Sequence, residues 1–567
     1  MSYLVHDRML ELMEAEGIMT LFGIPDPSFI GLFAAAEQRG WTVVAPHHEQ
    51  AGAFMADAHW RTTGIPGVVV GNQGPGVANL AAAAICAAKE NVPTIFIAGQ
   101  RERVFDQRVK RGQFQYTRQP RHFDESMKYV GIIEYAEQVD EIFREAFRRA
   151  LSGTPGPVYI EYPMNVLDKQ IDLGPLLKPE QYRLVRQAAD AQRIAEAVEL
   201  LGNAQAPILL VGQGVHVSRA HTLVAELAQT LACPVIQTPG GSGVLPGVEN
   251  RTFPYPSPAG ICAVAEADVV IAIGTEIGEQ VHYGVGRHWA EGNTERKWIY
   301  IERDALAIGV NRPIDVPLVG DLRDVVPQLN AAVRPFKREV SARLIELEGA
   351  ANKMRKGMLA HVPVTSQPVH PARLVVEATR GLPKDMLMVR DGGCFAMFAG
   401  AYTQTRSSDV LWSQNFGHLG MGLPVAIGAQ LMVGDSRRVM LLSGDSAFLF
   451  HISELETAVR KNLPIVCVVG CDFAWGLEVA VYRNSFGMDS PETEAHWGKQ
   501  LRLDLIAQGF GAHGEYVDKA EDIAPAVQRA LASNKPAVVQ VVMDGLANTT
   551  DMPGIEEFMS WYGERGY

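Results

Sequence analysis

The chain repeats one pattern in three successive segments: a short apolar run, a turn, a stretch of helical spacing, then another apolar run. Apolar runs bounded by glycine and proline read as buried strands, and helices between them supply the crossovers that parallel strands require. In the first segment the runs are TLFGIP (20–25), WTVVAP (41–46), PGVVVGN (66–72), PTIFIAG (93–99) and GPVYIEYP (156–163). The second carries APILLVGQGV (206–215), CPVIQTPGG (233–241), ADVVIAIGTEI (267–277) and KWIYIERD (297–304). The third carries MLMVRDGG (386–393), RVMLLSGDS (438–446), PIVCVVGCD (464–472) and PAVVQVVMD (536–544). The expected fold class is α/β, three doubly wound parallel sheets in domains 1–175, 188–335 and 365–550, with 551–567 as a tail or lid. A charged helix around 336–357 and the run HVPVTSQPVHP read as the linker before the third domain.

Bulk properties narrow the function classes. A net charge of −13 argues against a general nucleic-acid or anionic-membrane surface. The six cysteines are scattered without paired spacing, which fits a reducing compartment better than a disulfide framework or a zinc site. The first seventeen residues, MSYLVHDRMLELMEAEG, read as an amphipathic helix with acidic residues, unlike a secretion signal. No apolar stretch reaches the ~18 residues of a membrane span. A cytoplasmic protein is expected.

Chemistry concentrates at two places. In the third segment RVMLLSGDS puts Asp445 at the carboxyl end of a strand, where open α/β sheets bind ligands. Gly444 permits close backbone approach, and the amides after it can donate to phosphate at a helix start. PIVCVVG then delivers Asp472 at the next strand end. Carboxylates at neighbouring strand ends suit a hard divalent cation. In the first segment Glu49 follows a strand and opens a helix of small residues, AGAFMADA. In the second, Gly212-Gln213-Gly214 lacks the later glycine of a nucleotide fingerprint and reads as a tight strand-to-helix turn.

The run GDSAFLFHISELETAVRKNLPIVCVVGCDFAWG (444–476) resembles the cofactor motif of thiamine diphosphate (ThDP) enzymes of the acetohydroxyacid synthase, 2-oxoacid decarboxylase and benzaldehyde lyase superfamily. HEQAGAFMADAHWR, GHLGMGLPVAIGAQ (417–430) and RDGGCFAMF (390–398) resemble further segments of the same superfamily. The resemblance implies that Asp445, Asp472 and the backbone carbonyl of Ala474 hold Mg2+. It implies that Gly393, Cys394, Gly444, Ser446, Ala447, Trp475 and Gly476 surround the diphosphate, and that Leu419 wedges between the two cofactor rings. Glu49 takes the place of the glutamate that hydrogen-bonds the aminopyrimidine. His48 takes the family's histidine position, Asn72 faces the cofactor, and Gln115 is an active-site polar group. The first domain would bind the pyrimidine and the third the diphosphate, each site being shared between subunits of a homodimer or homotetramer.

The motif departs from the family in two places: GDG is GDS here, and the closing NN is Cys471-Asp472. GDSAF is similar to the 2-hydroxyacyl-CoA lyase and oxalyl-CoA decarboxylase branch. The acidic insert DSPETEAHWG (489–498) then offers Glu492 or Glu494 as a proton-handling group for the substrate, Glu494 being chosen. The first reading is therefore a ThDP- and Mg2+-dependent C–C lyase acting on a 2-hydroxyacyl-CoA. The alternatives are an acetolactate synthase-like carboligase, a 2-oxoacid decarboxylase or benzaldehyde lyase, and a catalytically silent regulatory paralogue. Substrates would be 2-oxoacids, 2-hydroxyacyl-CoA or aldehydes. FAD is doubtful, because GTEIGEQVHYG (274–284) matches the flavin-contacting pattern poorly.

Overall fold

Each segment folds into its own six-stranded parallel sheet with helices packed on both faces. The computed structural model describes residues 3–102, 112–243, 245–286, 288–290, 295–404 and 409–562. The first sheet runs in space as Thr42–Val44, Thr20–Gly23, Val68–Gly71, Ile95–Gln100, Val158–Pro163 and Tyr129–Ile132. The second runs Thr252–Pro254, Val235–Gln237, Pro207–Val211, Val269–Ile273, Lys297–Glu302 and Val316–Val319. The third runs Val410–Leu411, Leu387–Asp391, Val439–Gly444, Val466–Cys471, Ala537–Val542 and His513–Val517. Central strands such as Val439–Gly444 and Val466–Cys471 are buried along their whole length. That is the environment their unbroken apolar sequence calls for.

The middle sheet has hydrophobic clusters of its own. The first and third sheets share one: residues from Val5 to Ile171 and from Leu387 to Val538 belong to a single core. Its seam is the helix pair Glu49–Thr63 and Gly422–Val433. Gly428 makes the close crossing possible, since a Cβ there would stand 2.6 Å from the Met55 carbonyl oxygen. The turn Gly212-Gln213-Gly214 also proves to be a packing device. Added Cβ atoms on Gly212 and Gly214 would meet the Gly274 backbone at 2.4 and 2.7 Å. The expected linker contains a helix, Ala342–His361, that buries Leu344 and Leu347. No helix among the described residues is long and apolar enough to cross a membrane. All six cysteines are free thiols, five of them buried.

Candidate active site

Strand Val439–Gly444 runs directly into helix Asp445–Leu449, so the Asp445 carboxylate sits where strand and helix meet, 1 % exposed. Its Oδ1 accepts the Ser446 amide and its Oδ2 the Phe473 amide, both at 2.9 Å. The neighbouring strand Val466–Cys471 brings Asp472 alongside; Gly444 pairs with Gly470 in register. Burial, together with the Asp472 carboxylate, holds the Asp445 carboxyl well above the usual carboxylate range. Asp472 is raised by burial as well. Two crowded carboxylates of this kind are an oxygen donor set short of a cation.

The backbone then turns sharply. Phe473 adopts φ +59°, a left-handed conformation that costs a bulky residue energy and marks an imposed geometry. The antiparallel bridge between Ala474 and His496 uses the Phe473 carbonyl and the Trp475 amide. The Ala474 carbonyl is therefore left outside the pairing, as a backbone ligand would have to be. Asn548, on helix Gly545–Thr550, donates to Asp472 Oδ2 at 2.8 Å, while its own Oδ1 is buried without a partner. Gly476 closes the ring: a Cβ there would lie 2.7 Å from both Asp472 Oδ2 and Asn548 Nδ2. This orphaned oxygen, the paired carboxylates and the glycine gap fit a divalent metal with a diphosphate.

A second loop completes this half. Asp391, at the end of strand Leu387–Asp391, accepts the Gly392 amide through Oδ1 and the Gly422 amide through Oδ2, both at 2.7 Å. It thereby ties the Gly392-Gly393 turn to the loop carrying Leu419. Gly392 has φ +109° and Gly420 φ +85°, and a Cβ on Gly420 would strike Phe450 at 2.4 Å. His451, whose imidazole burial pushes down to about 4, donates through Nδ1 to the Gly420 carbonyl. Glu90, fully buried, reaches from the first domain to accept the Asn415 and Phe416 amides at 2.8 and 3.0 Å. Leu419, Gly392 and Gly393 open on a cavity of about 1840 Å3 walled mainly by the middle and third domains, with Lys89, Asn91 and Thr154 of the first at its side. Pro553, Glu557 and Phe558 of the tail line it too, whereas 563–567 lie outside the described residues. Cys394 begins helix Cys394–Tyr402, with its thiol buried and pushed up. Ala447 is 1 % exposed behind Asp445, and Trp475 packs edge-on against Phe450 and Trp497. Gly444 itself is not crowded by protein, since an added Cβ would meet nothing nearer than 3.9 Å.

The first-domain residues form a separate cluster. His48 caps helix Glu49–Thr63 by accepting the Gln50 amide on Nδ1 at 3.1 Å. The backbone amides of His47 and His48 both donate to Glu454, fastening this turn to the third domain. Glu49 is 7 % exposed and accepts from Asn79 Nδ2 at 2.9 Å. Asn72 Oδ1 is buried without a partner, aimed at Gly76, whose added Cβ would lie 1.9 Å from it and 3.0 Å from Glu49 Oε1. Gln115, at φ +56°, packs its carbonyl over Gly74, and the nearby buried Gln119 accepts the Gly74 amide at 2.7 Å. None of Glu49, Asn72 or Gln115 lines the cavity that holds Leu419 and Gly393. Asp445 and Asp472 do not line it either, and the Glu49 turn reaches the Leu419 loop, with Gln50 Nε2 3.1 Å from His418 Nε2. Glu494 joins neither cluster: it is exposed, away from the cavity, while Glu492 is held by Arg483 and His496, both at 2.6 Å.

Three family profiles match the chain in order: "Thiamine pyrophosphate enzyme, N-terminal TPP binding domain" over 5–122, "central domain" over 194–329, and "C-terminal TPP binding domain" over 391–541. They fall on the three sheets. The chain belongs to the thiamine pyrophosphate enzymes. Among curated relatives, a probable acetolactate synthase large subunit of Methanococcus aeolicus is 27 % identical, covering 95 % of this chain and 92 % of the relative. An acetolactate synthase large subunit of Mycobacterium tuberculosis is 29 % identical, covering 94 % of each. The acetolactate synthase of Bacillus subtilis is 27 % identical over 94 % and 92 %. As a thiamine pyrophosphate enzyme, the chain is a ThDP-dependent catalyst of C–C bond chemistry. Asn548 and Glu90 had no motif to reveal them; Asp391 and Glu454 stood inside the RDGG and GDSAF runs, but nothing local marked their roles.

Proposed function

We propose that this thiamine pyrophosphate enzyme is an acetolactate synthase-type carboligase, which decarboxylates one 2-oxoacid and joins the remaining acyl unit to a second carbonyl. The observation that carries the reading is the near full-length similarity to proteins named acetolactate synthases. The 2-hydroxyacyl-CoA lyase reading rested on GDSAF and on an acid in the 489–498 insert. Its chosen acid, Glu494, is exposed and outside the cavity, so that support falls away.

ThDP, when bound, supplies a nucleophilic carbon that adds to a carbonyl and holds the electron pair released when a C–C bond breaks. The chain's own residues do the rest. Asp445, Asp472 and the Ala474 carbonyl would hold Mg2+. Glu49, oriented by Asn79, holds a proton at the aminopyrimidine ring nitrogen. Leu419 would pack against the cofactor as the wedge of the family motif. As the family resemblance implies, a complete centre would take Glu49 from one subunit and the Asp445 cradle from another, in a homodimer or homotetramer.

Product analysis tests the reading. Protein loaded with ThDP and Mg2+, with and without FAD, is incubated with pyruvate, pyruvate plus 2-oxobutyrate, benzoylformate and a 2-hydroxyacyl-CoA. Mass spectrometry is expected to find acetolactate and, in the mixed incubation, its 2-oxobutyrate-derived homologue. Consumption of the acyl-CoA alone would restore the lyase reading. Failure to bind ThDP, followed by circular dichroism, would favour the silent paralogue. The FAD arm decides whether a flavin belongs here, since the cavity has room for a nucleotide-sized group.

A further inference from the structure

Arg390 lies on strand Leu387–Asp391, immediately before the Asp391-Gly392-Gly393 turn, and its side chain lines the cavity. The guanidinium lies over the face of Trp412, its carbon 3.9 Å from the ring centroid. Gly400 makes room on another side, since a Cβ there would stand 2.3 Å from Nη1. Nη2 donates a long bond of 3.4 Å to Ser242 Oγ of the middle domain, and Nε is buried without a partner. Among the described residues no carboxylate lies within ion-pairing distance of it. Burial alone acts on its titration, pushing it down to about 10.

A half-buried arginine with no anion is an expensive arrangement, and a π-face repays only part of the lost hydration. Of the other buried arginines, Arg296 spends its donors on the carbonyls of Ala267, Trp289, Val264 and Ala265, and two have acidic partners. Arg8 pairs with Asp140 at 2.6 Å and Arg61 with Asp57 at 2.5 Å. A planar fork held between an aromatic face and a glycine is preorganised for a two-oxygen anion. We propose that Arg390 is the oxyanion-binding residue of this cavity, receiving a carboxylate or phosphate carried by a molecule that enters it. Two sources share this chemistry: the carboxylate of a 2-oxoacid, which rests on the carboligase reading, and a nucleotide phosphate, which does not.

The test uses the ThDP- and Mg2+-loaded protein and the variants Arg390→Met and Arg390→Lys. It measures kcat and KM for pyruvate, Kd for ADP by calorimetry, and Kd for ThDP as a control of the fold. R390M is expected to weaken one or both anions roughly 30-fold or more, with ThDP affinity kept, and R390K to recover part of the loss. A rise in pyruvate KM with ADP unchanged assigns the site to the carboxylate; weakened ADP with pyruvate KM unchanged assigns it to phosphate. No change in either, a wild type that takes neither, or a loss confined to ThDP overturns the proposal. If wild type turns over no 2-oxoacid, the carboligase reading fails by itself and the ADP measurement still decides the role of Arg390.

Discussion

Asn548 donates to Asp472 Oδ2 at 2.8 Å from helix Gly545–Thr550. The bond fixes the orientation of a group proposed as a metal ligand, and such supporting bonds typically control 10- to 100-fold in metal affinity. Asn548→Ala should therefore weaken Mg2+ binding by about that factor, measured by calorimetry in the presence of ThDP. Unchanged affinity would remove Asn548 from the site.

Glu49→Gln keeps the size of the side chain and its contact with Asn79, but cannot hold the proton that the chemistry requires. Exchange of the ThDP C2 proton with solvent, followed by NMR, should slow by about 10²- to 10⁴-fold. ThDP itself should remain bound. Exchange at the wild-type rate would defeat the assignment.

Glu90 is fully buried, faces Arg61 at 3.5 Å, and accepts three groups of the 413–416 loop: Ser413 Oγ and two amides. Glu90→Ala leaves a buried guanidinium sharing only Asp57 and frees the loop that leads to Leu419. The expected loss of stability is about 3–5 kcal/mol, read as a lower thermal midpoint with weaker ThDP binding. A normal midpoint would mean that the loop is held by other contacts.

Asp391 carries a pH signature. Burial pushes its carboxyl up to about 6, although backbone amides of the Gly392 and Gly422 turns bond it. A folded-state value above the unfolded one means that its contribution to stability is fully present below the unfolded value of ~3.9 and is lost as pH rises through about 6. Asp391→Asn removes that titration. Relative to wild type, the thermal midpoint of D391N should therefore climb between pH 4 and 7, by up to ~3 kcal/mol in stability. A difference that does not vary with pH would show that Asp391 does not titrate in this window.

The interior of every sheet was legible in the sequence, and of the six rims only Thr42–Val44 was. The strands of the three sheets that the sequence reading did not name are Tyr129–Ile132, Thr252–Pro254, Val316–Val319, Val410–Leu411 and His513–Val517, and each lies at a sheet edge. An edge strand is short or half-solvated and can carry polar residues, as His513–Val517 does with Glu515 paired to Arg529 at 2.8 Å. The site divides in the same way. Asp445, Asp472 and Glu49 sit in contiguous motifs. Asn548 meets Asp472 across 76 residues and Glu90 meets Asn415 across 325, separations that no local pattern encodes. Arg390 was passed over for another reason: its significance is the missing anion, and that emerges only once its surroundings are known.

The hydrophobic core that joins the first and third sheets has a consequence for how the molecule comes apart. With no boundary between those two layers, and the crossing at Gly428 too tight to admit even a methyl group, the first and last thirds of the chain form one cooperative unit. The middle third, with clusters of its own, can melt separately. Its loss would strip one wall from the cavity while leaving the Asp445 cradle and the Glu49 turn standing.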